Sequence, residues 1–193
     1  MFARTERLLL RPCWPEDAEE LLQAVADEAI VRNLATVPWP YKLEDARKFV
    51  AREHSANYPN LLLFQRTVGA PRLIGACGIQ NSDGEAELGY WIARPFWGLG
   101  FASEAAKAVV AIAKAVGHKR LVAGHFTDNP ASGRVLRKVG FRPTGQVMMK
   151  ASKGRVREIP CAMFEQYLSG KDNRTNDDMR RNIVPYDAQL IAA

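Results

Sequence analysis

The stretch from Glu85 to Phe126 constrains this chain more than any other part of it. Glu85–Ile92 reads as a strand and is followed by the turn Trp97-Gly98-Leu99-Gly100-Phe101-Ala102. Ala102–Val116 then shows Ala105, Ala106, Val109, Val110 and Ala113 at helical spacing, and Gly117 closes the helix as a C-terminal cap. Arg120–Phe126 reads as a second strand. A strand–helix–strand crossover lays its two strands parallel, which no tight hairpin can do. The glycine turn has a further consequence, because it exposes several backbone N–H groups at the positive end of a long helix, a shape that suits phosphate or pyrophosphate. The same kind of turn joins many strand–helix pairs for steric reasons alone. It lacks the Gly-Lys-Ser/Thr ending of a P-loop and the third glycine of a dinucleotide fingerprint.

The flanking sequence predicts further strands and helices. Thr5–Arg11 carries Leu8-Leu9-Leu10 and ends at Pro12 as a short buried strand. A helix follows from Pro15, with Glu16, Asp17 and Glu19 at its positive end and Ala18, Leu21, Leu22 and Val25 as its apolar stripe. A second helix is predicted from Leu43 to about Ser55, with Ala46, Phe49 and Val50 inward. Between them the stiff loop Pro38-Trp39-Pro40 either walls a binding cleft or is pinned to the core by Trp39. Leu61–Arg66, Arg72–Asn81 and Glu85–Ile92 form an antiparallel meander with turns at Gly69-Ala70-Pro71 and Ser82-Asp83-Gly84. After the crossover a short helix opens at Asn129-Pro130 and closes at Gly140. Two last strands, Gly145–Ala151 and Arg155–Leu168, turn at Ser152-Lys153-Gly154. Residues 1–168 are expected to form one domain. Residues 169–193 read as an appendage whose apolar cluster near Ile183–Ile191 docks on its own domain or on a second subunit, with homodimerisation the favoured version.

Composition narrows the function classes. The longest apolar runs fall far short of the roughly 18 residues a membrane span needs. Arg4, Glu6 and Arg7 also break the N-terminus before a signal-peptide core, so a soluble cytoplasmic protein without a membrane partner is expected. Cys13, Cys77 and Cys161 are odd in number and widely spaced, which suits buried thiols in a reducing compartment. His54, His118 and His125 never pair with one another or with a cysteine at ligand spacing, so no metal site is expected. The net charge of +6 could attract RNA, an acidic protein surface or a small polyanion. The basic residues scatter except at Arg180-Arg181 and the group Lys150, Lys153, Arg155 and Arg157, with no stacking aromatics beside them. They read as a solvated face, with no sequence-specific nucleic acid as partner.

Two motifs carry a family resemblance. Glu87-Leu88-Gly89-Tyr90-Trp91-Ile92 followed by Trp97-Gly98-Leu99-Gly100-Phe101-Ala102-Ser103-Glu104-Ala105 resembles the central motif of the GNAT acetyltransferase superfamily. Asn129-Pro130-Ala131-Ser132 followed by Val135-Leu136-Arg137-Lys138-Val139-Gly140-Phe141 is similar to the last-helix motif of its ribosomal-protein N-terminal-acetyltransferase (RimJ/RimL-like) branch. The opening Arg7-Leu8-Leu9-Leu10-Arg11-Pro12 and Pro15-Glu16-Asp17-Ala18 resembles that branch too. The resemblance spans roughly residues 5 to 168. It implies an α+β GNAT fold, a mixed, mostly antiparallel sheet of six to seven strands with a parallel central splay between the Glu85 and Arg120 strands, flanked by helices. It further implies that acetyl-coenzyme A (acetyl-CoA) is the donor, its pantetheine arm in the splay and its pyrophosphate on the amides of Gly98 to Ala102. The cofactor contacts so expected are Trp91, Ile92, Trp97, Gly98, Leu99, Gly100, Phe101, Ala102, Asn129 and Ser132. Two positions depart from the pattern. Trp97 stands where many members carry Gln or Arg, which leaves the pyrophosphate to backbone amides, and Leu136 stands where many carry a tyrosine general acid.

The expected reaction is acetyl transfer to a primary amine, a protein N-terminus or a small molecule, by direct attack in a ternary complex. The alternatives are an acyl-CoA sensor without turnover and a module that docks on ribosome or RNA. The candidate catalytic residues are Glu87, Glu158, Tyr90 and Ser132. An alkylamine is mostly protonated at neutral pH, which gives a proton acceptor near the cleft a purpose. Glu87 is the first choice, since Glu85, Glu87, Gly89 and Trp91 share one face of an extended strand until a bulge intervenes, and Glu158 is its rival. Asn129 also reads as a plain N-cap, Ser132 as a solvated serine, and Glu104 as a carboxylate that stabilises the start of its helix.

Overall fold

The computed structural model describes residues 1–53 and 55–168. His54 and the 169–193 appendage, with its expected docking, lie outside the described residues. The described chain forms one eight-stranded sheet in the order β1-β2-β3-β4-β5-β6-β8-β7. Its strands are β1 (Ala3–Arg4), β2 (Leu8–Arg11), β3 (Asn60–Gln65), β4 (Arg72–Ser82), β5 (Glu85–Ile92), β6 (Arg120–Phe126), β7 (Arg142–Lys150) and β8 (Ile159–Tyr167). Every neighbouring pair is antiparallel except β5 with β6, the pair that the crossover makes parallel. The strand beyond the seven read from the sequence is the two-residue β1, which folds back on β2 as a hairpin.

Helices cover both faces. The helices α1 (Ala18–Val25), α2 (Glu28–Val31) and α3 (Leu43–Val50) precede β3, α4 (Phe101–Ala115) is the crossover helix, and α5 (Pro130–Lys138) follows β6. On α4 the buried positions Phe101, Ala105, Ala106, Val109 and Ala113 fall at helical spacing, and the alanines let the helix lie close to β4 and β5. On the other face Ala18, Leu21, Val25, Ala46 and Val50 pack against Leu62, Phe64, Leu73 and Ala76. β4 serves both layers by its alternation, and the register shift at Leu63/Phe64, where Ile74 is the extra residue, changes its phase so that Leu73 and Ala76 both turn to α1 and α3 while Ile74, Cys77 and Ile79 turn to α4. Among the described residues no helix is long and apolar enough to cross a membrane.

Several boundaries moved for local reasons. The helix α3 stops at Val50, five residues before the predicted end, because Arg52 and Glu53 no longer continue its apolar stripe. The four-residue α2 is too short for periodicity to reveal; Asp27 caps it by accepting from the Ala29 N–H at 2.8 Å. Arg11 is buried, its guanidinium forked onto Asp17 at 2.6 and 2.7 Å between the rings of Trp14 and Phe64. That pair ties β2 to the 3-10 turn Pro15–Asp17 that leads into α1. Trp39 is 42% exposed, so it does not pin its loop to the core; Leu34 and Tyr41 pack there instead.

Candidate active site

The parallel pair opens like a wedge. β5 and β6 register at one pair only, Glu87 with Val122. On their outer sides both stay paired to the end, β5 with β4 as far as Ile92 opposite Gly75, and β6 with β8 as far as Phe126 opposite Cys161. The inner edges therefore part toward the C-terminal ends of both strands. Gly75 allows the close approach of β4 to β5 here, since a Cβ on it would overlap the Trp91 carbonyl oxygen. A Cβ on Gly89, by contrast, would meet open space. The β4–β5 register runs without a shift from Ser82–Glu85 to Gly75–Ile92, so the expected bulge is absent and the alternation of β5 is unbroken.

At the open end of the wedge, the 3-10 turn Arg94–Phe96 leads into the glycine turn. Gly98 (φ 76°) and Gly100 (φ 84°) both adopt left-handed conformations that a side chain would strain. α4 starts at Phe101, and its Glu104 N–H donates to the Gly100 carbonyl at 3.1 Å, so the amides of residues 101–103 precede the first intrahelical bond. The Trp97 indole N–H turns inward and donates to the Ile92 carbonyl at 2.6 Å. Trp97 and Leu99 otherwise stay about half exposed beside the turn.

The two faces of β5 separate the candidate catalytic groups. Tyr90 points with Leu88 and Ile92 toward the α4 layer, where its hydroxyl lies 3.0 Å from the Ser132 carbonyl and 2.9 Å from Ser132 Oγ. With the phenol proton on the carbonyl, the serine hydroxyl is the donor in the second contact. Burial pushes the Tyr90 phenol well above its ordinary range, only partly offset by Ser132. Asn129 caps α5 as expected, its Oδ1 accepting from the Ser132 N–H at 3.4 Å. Leu136 is fully buried and serves the core.

Glu87 lies on the opposite face, the face on which Trp91 packs toward α1 and α3. Its carboxylate, 13% exposed, accepts from Lys150 Nζ at 2.9 Å and from Gln80 Nε2 at 3.2 Å. Glu158 sits exposed in the 151–158 connection, just before Ile159, whose strand partner is Lys150. Glu87 thus lies on one face of β5 and Tyr90 on the other, and Glu158 is linked to Glu87 only through Lys150, the ion-pair partner of Glu87 and the strand partner of Ile159.

The basic group at 150–157 is not simply a solvated face. Arg155 is buried as a side chain, forked onto Asp128 at 2.8 and 2.9 Å, donating to the Arg32 carbonyl at 2.6 Å and lying over the Phe126 ring. Ser152 Oγ donates to the Leu34 carbonyl at 2.7 Å and the Lys153 N–H to Ala35 at 3.0 Å. These contacts fasten the β7–β8 connection over the 32–35 segment and explain why β8 begins at Ile159 rather than Arg155. Arg155 holds the Asp128 carboxyl below its ordinary range. Lys150 and Arg155 are the residues that sequence reasoning missed, since neither ion pair has a signal in spacing.

Comparison with known proteins closes the identification. The acetyltransferase (GNAT) domain family matches residues 7–142. An N-acetyltransferase of uncharacterised activity from Bacillus subtilis, YoaA, is 32% identical over 154 residues, covering 73% of this chain and 82% of its own. A GNAT-family acetyltransferase structure from Bacillus anthracis superposes with a TM-score of 0.73 at 24% identity, covering 87% of this chain and 99% of that one. The ribosomal L7/L12 α-N-protein acetyltransferase RimL, solved in complex with coenzyme A, gives a TM-score of 0.70 at 21% identity, covering 86% and 98%. The chain belongs to the GNAT acetyltransferase family.

Proposed function

We propose that this enzyme transfers acetyl from acetyl-CoA to a primary amine, on a protein N-terminus or a small molecule, by direct attack within a ternary complex. One observation carries the reading: the wedge between β5 and β6 opens onto the Gly98–Gly100 turn at the start of α4. The parted edge of β5 at Trp91 and Ile92 offers backbone groups to a peptide-like pantetheine arm, and the amides from Gly98 to Ala102 offer a cradle for pyrophosphate. Trp97, Leu99 and Phe101 belong to that turn, and Asn129 and Ser132 are assigned to the pantetheine and thioester end, where Ser132 meets Tyr90. The RimL structure, itself bound to coenzyme A, supports both this donor and a protein N-terminus as acceptor.

The separation of groups across β5 suits the proton traffic. The acceptor nitrogen attacks the thioester carbonyl carbon, the C–N bond forms, the C–S bond breaks and the sulfur leaves as a thiolate. The proton released by nitrogen goes to Glu87, with Glu158 the alternative acceptor. The thiolate is protonated from the Ser132–Tyr90 hydroxyl pair on the other face, which takes the part that Leu136 cannot play. Lys150 is itself a primary ammonium on an alkyl arm seated on Glu87, so this carboxylate already accommodates the functional group of the acceptor. An acyl-cysteine route finds no support, because burial raises the thiols of Cys77 and Cys161 and leaves little thiolate.

Calorimetry with acetyl-CoA on Gly100→Trp tests the donor site. Binding should be abolished, because a side chain strains the left-handed φ of Gly100 and its bulk meets the Arg7 guanidinium behind the turn, which distorts the cradle. Unchanged affinity in a folded variant would remove the assignment.

A further inference from the structure

The opening motif carries two arginines with separate tasks. Arg11 is engaged in its own half of the sheet through Asp17. Arg7, at the tip of the β1–β2 hairpin, reaches across 92 residues of chain to Leu99 in the glycine turn and across 97 to Glu104. Its Nε and Nη2 each lie 2.7 Å from Glu104 Oε2, its Nη1 donates to the Leu99 carbonyl at 3.0 Å, and its guanidinium covers the Phe101 ring at 4.4 Å. Its own N–H donates to Glu104 Oε1 at 2.9 Å, beside a bond from Thr5 Oγ1 to the same oxygen. One side chain therefore holds the turn, the first residue of α4 and the carboxylate one helical turn further on.

We propose that Arg7 is a positioning residue for the donor's pyrophosphate. The proposal rests on the reading of acetyl-CoA as donor. In a trans peptide the C=O and N–H point opposite ways, so fixing the Leu99 carbonyl on Arg7 turns the Gly100 N–H away from the hairpin. Two left-handed glycines in a row of three residues would otherwise leave this peptide free to rotate, and its ordering would oppose binding. The planar fork is what allows simultaneous contact with Leu99 and Glu104; a lysine offers one point charge and cannot span both. Position 97 contributes no charge at the turn, its indole N–H being turned onto Ile92.

The test compares coenzyme A with pantetheine, which lacks the pyrophosphate, by calorimetry and ligand-observed NMR on the full chain. In Arg7→Met, affinity for coenzyme A should fall about tenfold or more while pantetheine affinity stays as in wild type. Arg7→Lys should recover only part of the loss, and it carries the same ratio should Arg7→Met not fold. Equal losses for both ligands would overturn the proposal, since they mark a merely structural role. Full recovery in Arg7→Lys would overturn it as well, since charge alone would then suffice. A wild-type protein that binds no coenzyme A would overturn the donor assignment on which the proposal rests, whereas wild-type binding with an unchanged ratio in both variants would overturn the role of Arg7 alone.

Discussion

On the proposed donor side of the wedge the geometry is carried by main chain, and on the proposed acceptor side by side chains. The donor side consists of a parted strand edge, two left-handed glycines and the first turn of α4, with Arg7 and Glu104 bracing the turn and the helix start from behind. The acceptor side depends on Lys150 seated on Glu87 and on Arg155 forked onto Asp128, pairs that join segments far apart in sequence. Backbone amides serve any pyrophosphate and tolerate drift in side chains. Ion pairs can be exchanged one at a time, so a common donor can be kept while the acceptor changes. On the proposed mechanism, the difference puts the chemistry shared by the family on one side of β5 and the specificity of this chain on the other.

The largest expected effect breaks the acceptor side alone. Glu87→Gln should lower turnover by roughly a hundredfold or more near neutral pH and recover partly at high pH, where free amine becomes abundant. Affinity for acetyl-CoA should barely change, because Glu87 faces away from Tyr90 and the α4 layer. Ordinary turnover in this variant, with a large defect in Glu158→Gln, would transfer the role of base to Glu158.

A smaller effect sharpens the comparison through pH. Partial burial tends to raise the Glu104 carboxyl, but the Thr5 hydroxyl, the Arg7 N–H and its guanidinium outweigh burial and hold it below its ordinary range. Asp128 is also held low, chiefly by Arg155. A carboxyl with a depressed folded value adds stability that is complete above its unfolded value near 4 and is lost as pH falls through the folded one. The melting temperature should therefore be level above about pH 5 and decline below about pH 4. Glu104→Gln should flatten that decline more than Asp128→Asn does, by on the order of a few degrees, because the Glu104 side chain is 17% exposed against 42% for Asp128 and accepts from the Thr5 hydroxyl and the Arg7 N–H as well as from a guanidinium. Equal flattening in scanning calorimetry would mean that the two sides are equally sheltered.

The same division explains what the sequence could reveal. Strand alternation, the helical stripe of α4 and the glycine turn are local, so β5 and β6 were predicted with the bounds the structure has, and α4 within one residue at each end. The N-cap at Asn129 was legible for the same reason. The pairing of Arg7 with Glu104, of Lys150 with Glu87 and of Arg155 with Asp128 joins residues 97, 63 and 27 positions apart, and no periodicity records such pairs. Glu104 stands in the first turn of α4, as its reading as a stabiliser of that helix requires, and its carboxylate also grips the hairpin tip, which no local signal reveals. Tyr90 and Glu87 were grouped as catalytic from one strand, while the pleat places them on opposite faces.

On the proposed mechanism, acetyl passes from a donor held by the wedge to an amine that enters from the Glu87 face. The most direct test is a mass-spectrometric screen of peptide N-termini and small amines with acetyl-CoA and the purified chain, with release of coenzyme A thiol followed in parallel. An acetylated primary amine formed in step with free thiol, and intersecting initial-velocity lines when both substrates are varied, is the predicted result. Parallel lines would contradict direct attack, and tight binding of acetyl-CoA without thiol release for any amine would contradict catalysis and leave a sensor.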